Sequence, residues 1–226
     1  MFLLPDNQVR KVLRSLNPQQ CQHLLWVLAA TLRLYSSETS ASHDKKLLHQ
    51  PLRSSIVTAN HDTTLVMPSS DSFHTGVKVV TLPAAASGIS ATMLIQEASG
   101  KPLGLLGATQ LTAFRTALAA VGFYSHIVSS QSQPSCEHIV IFGAGNQVEW
   151  HMRLALLLIR LQEGDGNSSD DGTMMVRDIT VINRSRQRLD QLENDVLSTL
   201  RPAYPGVRFN LVAKDDMSDH GYEQAV

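Results

Sequence analysis

Charge of either sign is scarce in this chain: 17% of its 226 residues are charged, and 19 lysines and arginines stand against 20 acidic residues. With so little net field, neither nucleic acid nor an anionic membrane surface is an expected partner, and small molecules and other protein subunits are. Cysteine is nearly absent. Cys21 and Cys136 lie far apart without a CxxC spacing, which fits a reducing compartment where thiols behave mainly as buried hydrophobes. No apolar run reaches the length of a membrane span. The opening Met1-Phe2-Leu3-Leu4-Pro5-Asp6 has no basic region before its short apolar stretch and no small-residue cleavage site after it. A secretory leader is therefore not expected, and the chain reads as cytoplasmic. His126 and His151 have no ligand-like spacing to the cysteines or to each other, so no metal site is expected.

What is present is apolar material, 43% of the chain, enough to build a substantial core in one or two domains. Helical spacing of Val9, Val12, Leu13 and Leu16 predicts a helix over 6–16, and a second runs over 18–35. Short strand-like runs follow at 54–58, 64–67, 77–82 and 91–96, divided by Pro, Gly, Ser and Asp, and they predict a mixed or antiparallel sheet. Ser99-Gly100-Lys101 reads as a turn, 103–106 as a further strand and 111–124 as an alanine-rich helix. The polar stretch 129–135 has the composition of a domain boundary, dividing a first domain, 1–130, from a second, 131–226. Beyond it the pattern changes to strand 138–142, a helix to 161, strand 179–182, helix 186–200 and strand 207–212. This β-α-β-α-β order with apolar strands is half of a doubly wound parallel sheet.

Gly143-Ala144-Gly145-Asn146-Gln147-Val148 falls between the first of those strands and its helix. A dinucleotide fingerprint belongs there, because a backbone without side chains can approach a pyrophosphate at the positive end of a helix. The third glycine of the fingerprint is replaced by Val148. The second strand ends in Asn183-Arg184-Ser185, followed by Arg186 and Arg188. A carboxylate there would take a ribose 2′-hydroxyl, whereas arginine accommodates a 2′-phosphate, so NADP(H) is favoured over NAD(H).

Several segments occur together and in one order: Gln50-Pro51-Leu52-Arg53, Met67-Pro68-Ser69, Gly76-Val77-Lys78, Ser99-Gly100-Lys101-Pro102-Leu103, Leu111-Thr112-Ala113-Phe114-Arg115-Thr116-Ala117 and Gly143-Ala144-Gly145-Asn146-Gln147. Over essentially the whole chain this pattern resembles the ornithine cyclodeaminase/mu-crystallin family, and Asn183-Arg184-Ser185 resembles its mu-crystallin branch. The resemblance implies an α/β protein with an N-terminal α+β substrate and dimerisation domain beside a truncated Rossmann-type NAD(P)-binding domain. It also implies a homodimer acting on a small amino or imino acid. Arg53, Lys78 and Arg115 would surround the substrate carboxylate, an arginine fork binding it bidentately and a lysine adding a point charge. Ser87 falls near a family position held by a small hydroxyl residue. Thr116 at the start of its helix, with Gly143, Ala144, Gly145, Asn146, Gln147, Asn183, Arg184 and Ser185, would hold the cofactor.

Family members continue beyond the point where this sequence stops, and the family's catalytic aspartate would lie in that later portion. No catalytic residue is therefore assigned. Two activities remain open. One is hydride transfer between a substrate α-carbon and a nicotinamide, as in a ketimine reductase, or in a cyclodeaminase that oxidises ornithine, loses ammonia on ring closure and reduces the ring to proline. The other is non-catalytic binding of NADP(H) and a small ligand, of the mu-crystallin type.

Overall fold

The structure, a computed structural model, describes residues 1–38, 46–85, 88–129, 138–159 and 176–214. Two units emerge: Met1–Leu16 with Trp26–Thr112, and Asn17–Leu25 with Ala113–Val226. The expected boundary segment at 130–135 lies outside the described residues. No helix among the described residues is long and apolar enough to cross a membrane.

The first unit is built on a six-stranded mixed sheet in the order β1-β6-β5-β4-β3-β2. Its strands are β1 (Phe2–Leu4), β2 (Ser54–Val57), β3 (Thr63–Ser70), β4 (His74–Leu82), β5 (Ser90–Glu97) and β6 (Pro102–Gly107). All neighbours are antiparallel except β1 and β6. The β3–β4 turn is tied by Asp71, whose Oδ1 accepts the backbone N–H groups of Phe73 at 2.7 Å and His74 at 2.6 Å. At the β5–β6 turn, Gly100 supplies a φ of +85°. Pro68, which has no N–H to donate, falls beyond Val66, where pairing with β2 has already ended.

β1 was not expected from sequence, because three apolar residues carry no periodicity of their own. It exists through its parallel pairing of Phe2, Leu3 and Leu4 with Gly104, Leu105 and Leu106. The helix α1 (Asp6–Arg14) follows at once. Asp6 then reaches the start of α3 (Thr109–Ser129), its Oδ1 accepting the Gln110 N–H at 3.0 Å. That helix begins at Thr109 and not at residue 111, since a carboxylate distant in sequence satisfies its first turn. The long α2 (Pro18–Ser37) opens with a reciprocal cap: Asn17 Oδ1 accepts the Gln20 N–H, and Gln20 Oε1 accepts the Asn17 N–H, both at 2.9 Å.

The second unit holds a three-stranded parallel sheet, β7 (His138–Phe142), β8 (Asp178–Asn183) and β9 (Arg208–Ala213), in that spatial order. This is the first half of a Rossmann sheet, with helix α4 (Asn146–Leu158) following β7. Most of the fully buried apolar residues belong to this unit, among them Trp150, Met152, Leu154, Ile179, Val181, Leu189 and Leu197. Each such burial contributes roughly 1.5–3 kcal/mol. Phe114 meets Trp150 edge to face, their rings 5.3 Å apart at 87°.

The helix expected over 186–200 is interrupted. α5 (Arg186–Leu192) passes into a π-helical turn, Glu193–Leu197, before α6 (Ser198–Ala203). The Ser198 and Thr199 hydroxyls donate to the carbonyls of Asn194 at 2.6 Å and Val196 at 2.7 Å, competing with the regular backbone ladder.

Candidate functional site: the carboxyl end of the parallel sheet

β7 and β8 are parallel, with Phe142 opposite Ile182, so the turns that follow them emerge at the same end of the sheet. That end is where doubly wound folds bind ligands. After Phe142 the chain turns sharply at Gly143, whose φ of +109° is a conformation that side chains resist. Its N–H donates to Ile182 O at 2.8 Å, pinning the turn to β8. Gly145 is the N-cap of α4 and no side chain caps it. A Cβ placed there would meet nothing within 4 Å, so the backbone at the start of α4 faces open space.

Gly145, Asn146 and Gln147 are exposed, while Val148, Glu149 and Trp150 turn inward and are buried. Val148, standing where the fingerprint has its third glycine, packs beneath the turn with its Cγ2 4.0 Å from where a Cβ on Gly143 would be. An open, uncapped helix start with left-handed backbone before it suits the diphosphate of a dinucleotide, so the residues present fit that group. At the end of β8, Asn183 Nδ2 donates to Ser185 O at 2.9 Å and holds the loop closed. Ser185 is the N-cap of α5, again without a side-chain cap. Arg184 is exposed, and among the described residues it makes no ion pair.

The opposite end of the sheet is occupied with itself. His138 Nε2 lies 2.8 Å from Thr180 Oγ1, which also accepts from Asn210 Nδ2 at 3.3 Å. Arg208 grips Asp178 at 2.7 and 2.8 Å. The hydrogen bond from Arg208 holds the Asp178 carboxyl below its usual range.

In the first unit, Lys78 is half-buried on β4, opposite Met67 of β3 and Met93 of β5. Ser54 pairs with Val66. The exposed Arg53 lies just before β2, outside its paired register. Ser87 lies outside the described residues. Arg115 and Thr116 sit in the second turn of α3 and not at its start, because the helix begins at Thr109. Arg115 is exposed and Thr116 half-buried. The first-turn position that would have favoured an anion is met by Asp6, so the macrodipole lends these two residues less than a helix starting at residue 111 would.

A cavity of about 490 Å³ lies along β7, lined by its five residues and by Tyr124, Gln147 and His151 among others. His151 Nδ1 is 2.7 Å from the Gln147 carbonyl oxygen, and because a carbonyl only accepts, Nδ1 is the donor. Sequence reasoning passed over Glu149, which is 1% exposed and paired to Arg153. The signal available was a Glu followed four residues later by Arg, just before the apolar run Leu154–Leu158. No group of three or more His, Cys, Asp or Glu able to hold a metal occurs among the described residues.

Fold and turn together define a chain with a Rossmann-type half-domain preceded by a mixed-sheet domain, an architecture of the ornithine cyclodeaminase-like kind. Among solved structures, Δ1-pyrroline-2-carboxylate reductase of Thermococcus litoralis, in complex with NADH and L-proline, superposes with a TM-score of 0.63 at 20% identity, over 94% of this chain and 57% of that one. An archaeal alanine dehydrogenase dimer with bound NAD gives 0.62 at 12% identity, over 96% and 57%. A probable ornithine cyclodeaminase from Bordetella pertussis gives 0.60 at 19% identity, over 96% and 57%. No family model matches the sequence. An uncharacterized protein of Saccharomyces cerevisiae is 26% identical over 167 residues, 70% of this chain and 43% of that protein. The chain thus spans little more than half the length of the proteins whose fold it shares.

Proposed function

We propose that this chain forms the substrate-binding and first nucleotide-binding portions of a nicotinamide-dependent enzyme of the ornithine cyclodeaminase or ketimine reductase kind, acting on an amino acid or cyclic imino acid. The observation that carries the reading is the strand-turn-helix at Gly143, with its left-handed glycine, its uncapped helix start and the open space before Gly145. Gly143, Ala144, Gly145, Asn146 and Gln147 would hold the diphosphate, with Thr116 assisting. A nicotinamide, when bound, supplies the hydride donor or acceptor. Arg53 and Lys78 are the proposed source of the positive charge that a substrate carboxylate needs, and Arg115 is proposed as a fork able to bind a carboxylate bidentately. The proteins of like fold include one solved with L-proline and one described as recognising L-lysine and L-ornithine, which favours a small α-amino or α-imino acid. In this reading the protein assembles as a homodimer, as the resemblance of its sequence motifs implies.

NADP(H) is the preferred cofactor in this reading, because the loop after β8 carries Arg184 and no carboxylate. A charge-assisted contact to a 2′-phosphate contributes roughly 1.5–3 kcal/mol, at least about tenfold in the NADPH to NADH affinity ratio. Titration of the wild type and Arg184→Ala with both nucleotides tests this. The wild type should prefer NADPH and the variant should lose that preference. A wild type that binds neither nucleotide refutes the dinucleotide reading, and an unchanged ratio in the variant refutes the role of Arg184.

A further inference from the structure

A carboxylate in the first turns of a helix is an awkward neighbour for an anion site. Glu149, the fourth residue of α4, is 1% exposed. Its Oε1 accepts from Arg153 Nε at 2.9 Å, one turn further along the same helix. Arg153 Nη2 donates to Thr199 Oγ1 at 3.0 Å on α6. The Thr199 hydroxyl gives its own proton to Val196 O at 2.7 Å, which leaves its lone pairs for the guanidinium.

A helix rises about 1.5 Å per residue, so Glu149 lies roughly 6 Å along the axis from Gly145. Its charge is away from water, and salt screens it less than it would a surface charge. Unpaired, that charge would oppose the attraction that the α4 N–H groups hold for an anion. Paired, it is neutralised within the same helix. We propose that Arg153 is a positioning residue of the dinucleotide site, acting through Glu149: it cancels the buried carboxylate in the first turns of α4 and so keeps the Gly143 turn attractive to a diphosphate. The bond to Thr199 holds the guanidinium in place for this. The inference rests on the dinucleotide reading of the turn, and it predicts that charge changes at the pair move affinity in opposite directions.

The test measures binding of ADP, NADPH and adenosine to the wild type, Glu149→Gln, Arg153→Met and the double variant, with a thermal melt of each. Glu149→Gln, leaving Arg153 positive, should tighten ADP and NADPH binding about tenfold, and Arg153→Met should weaken it about tenfold. The double variant should return to within about threefold of the wild type. Adenosine, which lacks the diphosphate, should bind equally to all four, whereas a purely structural pair would shift the melts and leave the ADP to adenosine ratio alone. If Arg153→Met does not fold, the opposition between Glu149→Gln and the double variant decides. A wild type that binds ADP and NADPH alongside variants with unchanged affinity, or a Glu149→Gln variant that binds more weakly, overturns the inference while the dinucleotide reading stands. A wild type that binds neither overturns that reading itself.

Discussion

Two glycines that look alike in sequence face different neighbours. A Cβ on Gly107, the last residue of β6, would meet the backbone nitrogen of Asp6 and, at 2.6 Å, its Cα. Asp6 cannot withdraw cheaply, since it starts α1, follows the strand that pairs with β6 and caps α3. Gly122, inside α3, would instead meet the end of the Leu25 side chain, with Cδ2 at 2.9 Å, and a leucine can change rotamer. Gly107→Ala should therefore destabilise by about 1–3 kcal/mol, the cost of overpacking against backbone. Gly122→Ala should cost less, because helix propensity returns up to about 1 kcal/mol. Urea midpoints of the two variants check this, and equal losses would mean that the Asp6 junction yields. Nothing in the sequence around Gly107 signals the close approach, since the residue that demands it is brought there by the fold. Gly143 is the contrasting case: placed between an apolar strand and a helix, it announces its role from local pattern alone.

At the scale of elements, legibility followed how locally each was stabilised. Strands β7 and β8 were plain because apolar runs bounded by turn residues carry their own evidence, as was the hairpin turn at Gly100. β1 and the first turn of α3 were not, for both depend on partners about a hundred residues away. The apolar spacing after β8 is continuous and predicts an unbroken helix; the π-helical turn comes from hydroxyls and from a clamp that periodicity does not register. In that clamp Arg201 Nε and Nη2 donate to the two Glu193 oxygens at 2.8 and 2.9 Å, joining the start of the π-helical turn to α6. The hydrogen bond from Arg201 holds the Glu193 carboxyl below its usual range, against the opposing push of burial. A depressed folded value means that the pair stabilises the fold above the ordinary carboxylate range, about pH 4.3, and that this is lost as pH falls through the folded value. With both side chains more than a third exposed, its contribution is about 0.5–1 kcal/mol. Melts of the wild type and Glu193→Gln should differ at pH 7 and converge as pH drops below about 4. A difference that persists unchanged at pH 3 would show that the glutamate acts through packing and not through its charge.

For the molecule as a whole, the parts of the candidate site differ in how they are encoded. The Gly143 turn is contiguous in sequence, so its backbone geometry is legible from local pattern. The residues proposed for a carboxylate are not contiguous: Lys78 is set between Met67 and Met93 only through the register of β3, β4 and β5, and register is a tertiary property that no local pattern states. The two sets also fall in different units of the chain, the Gly143 turn in the second and Arg53 and Lys78 in the first. Each unit should therefore report its own ligand in hydrogen exchange. NADPH at about one hundred times its Kd stabilises the state that binds it by about 2.7 kcal/mol, and should slow exchange at 143–148 and 183–186. L-proline, a carboxylate ligand of the proposed class, should slow exchange at 76–80 of β4 and the facing residues of β3 and β5, with Lys78→Ala abolishing that effect and leaving the NADPH pattern intact. Protection by NADPH absent from the Gly143 turn would remove the dinucleotide reading. Protection by L-proline that survives Lys78→Ala would place the carboxylate elsewhere and leave Lys78 as an ordinary strand residue.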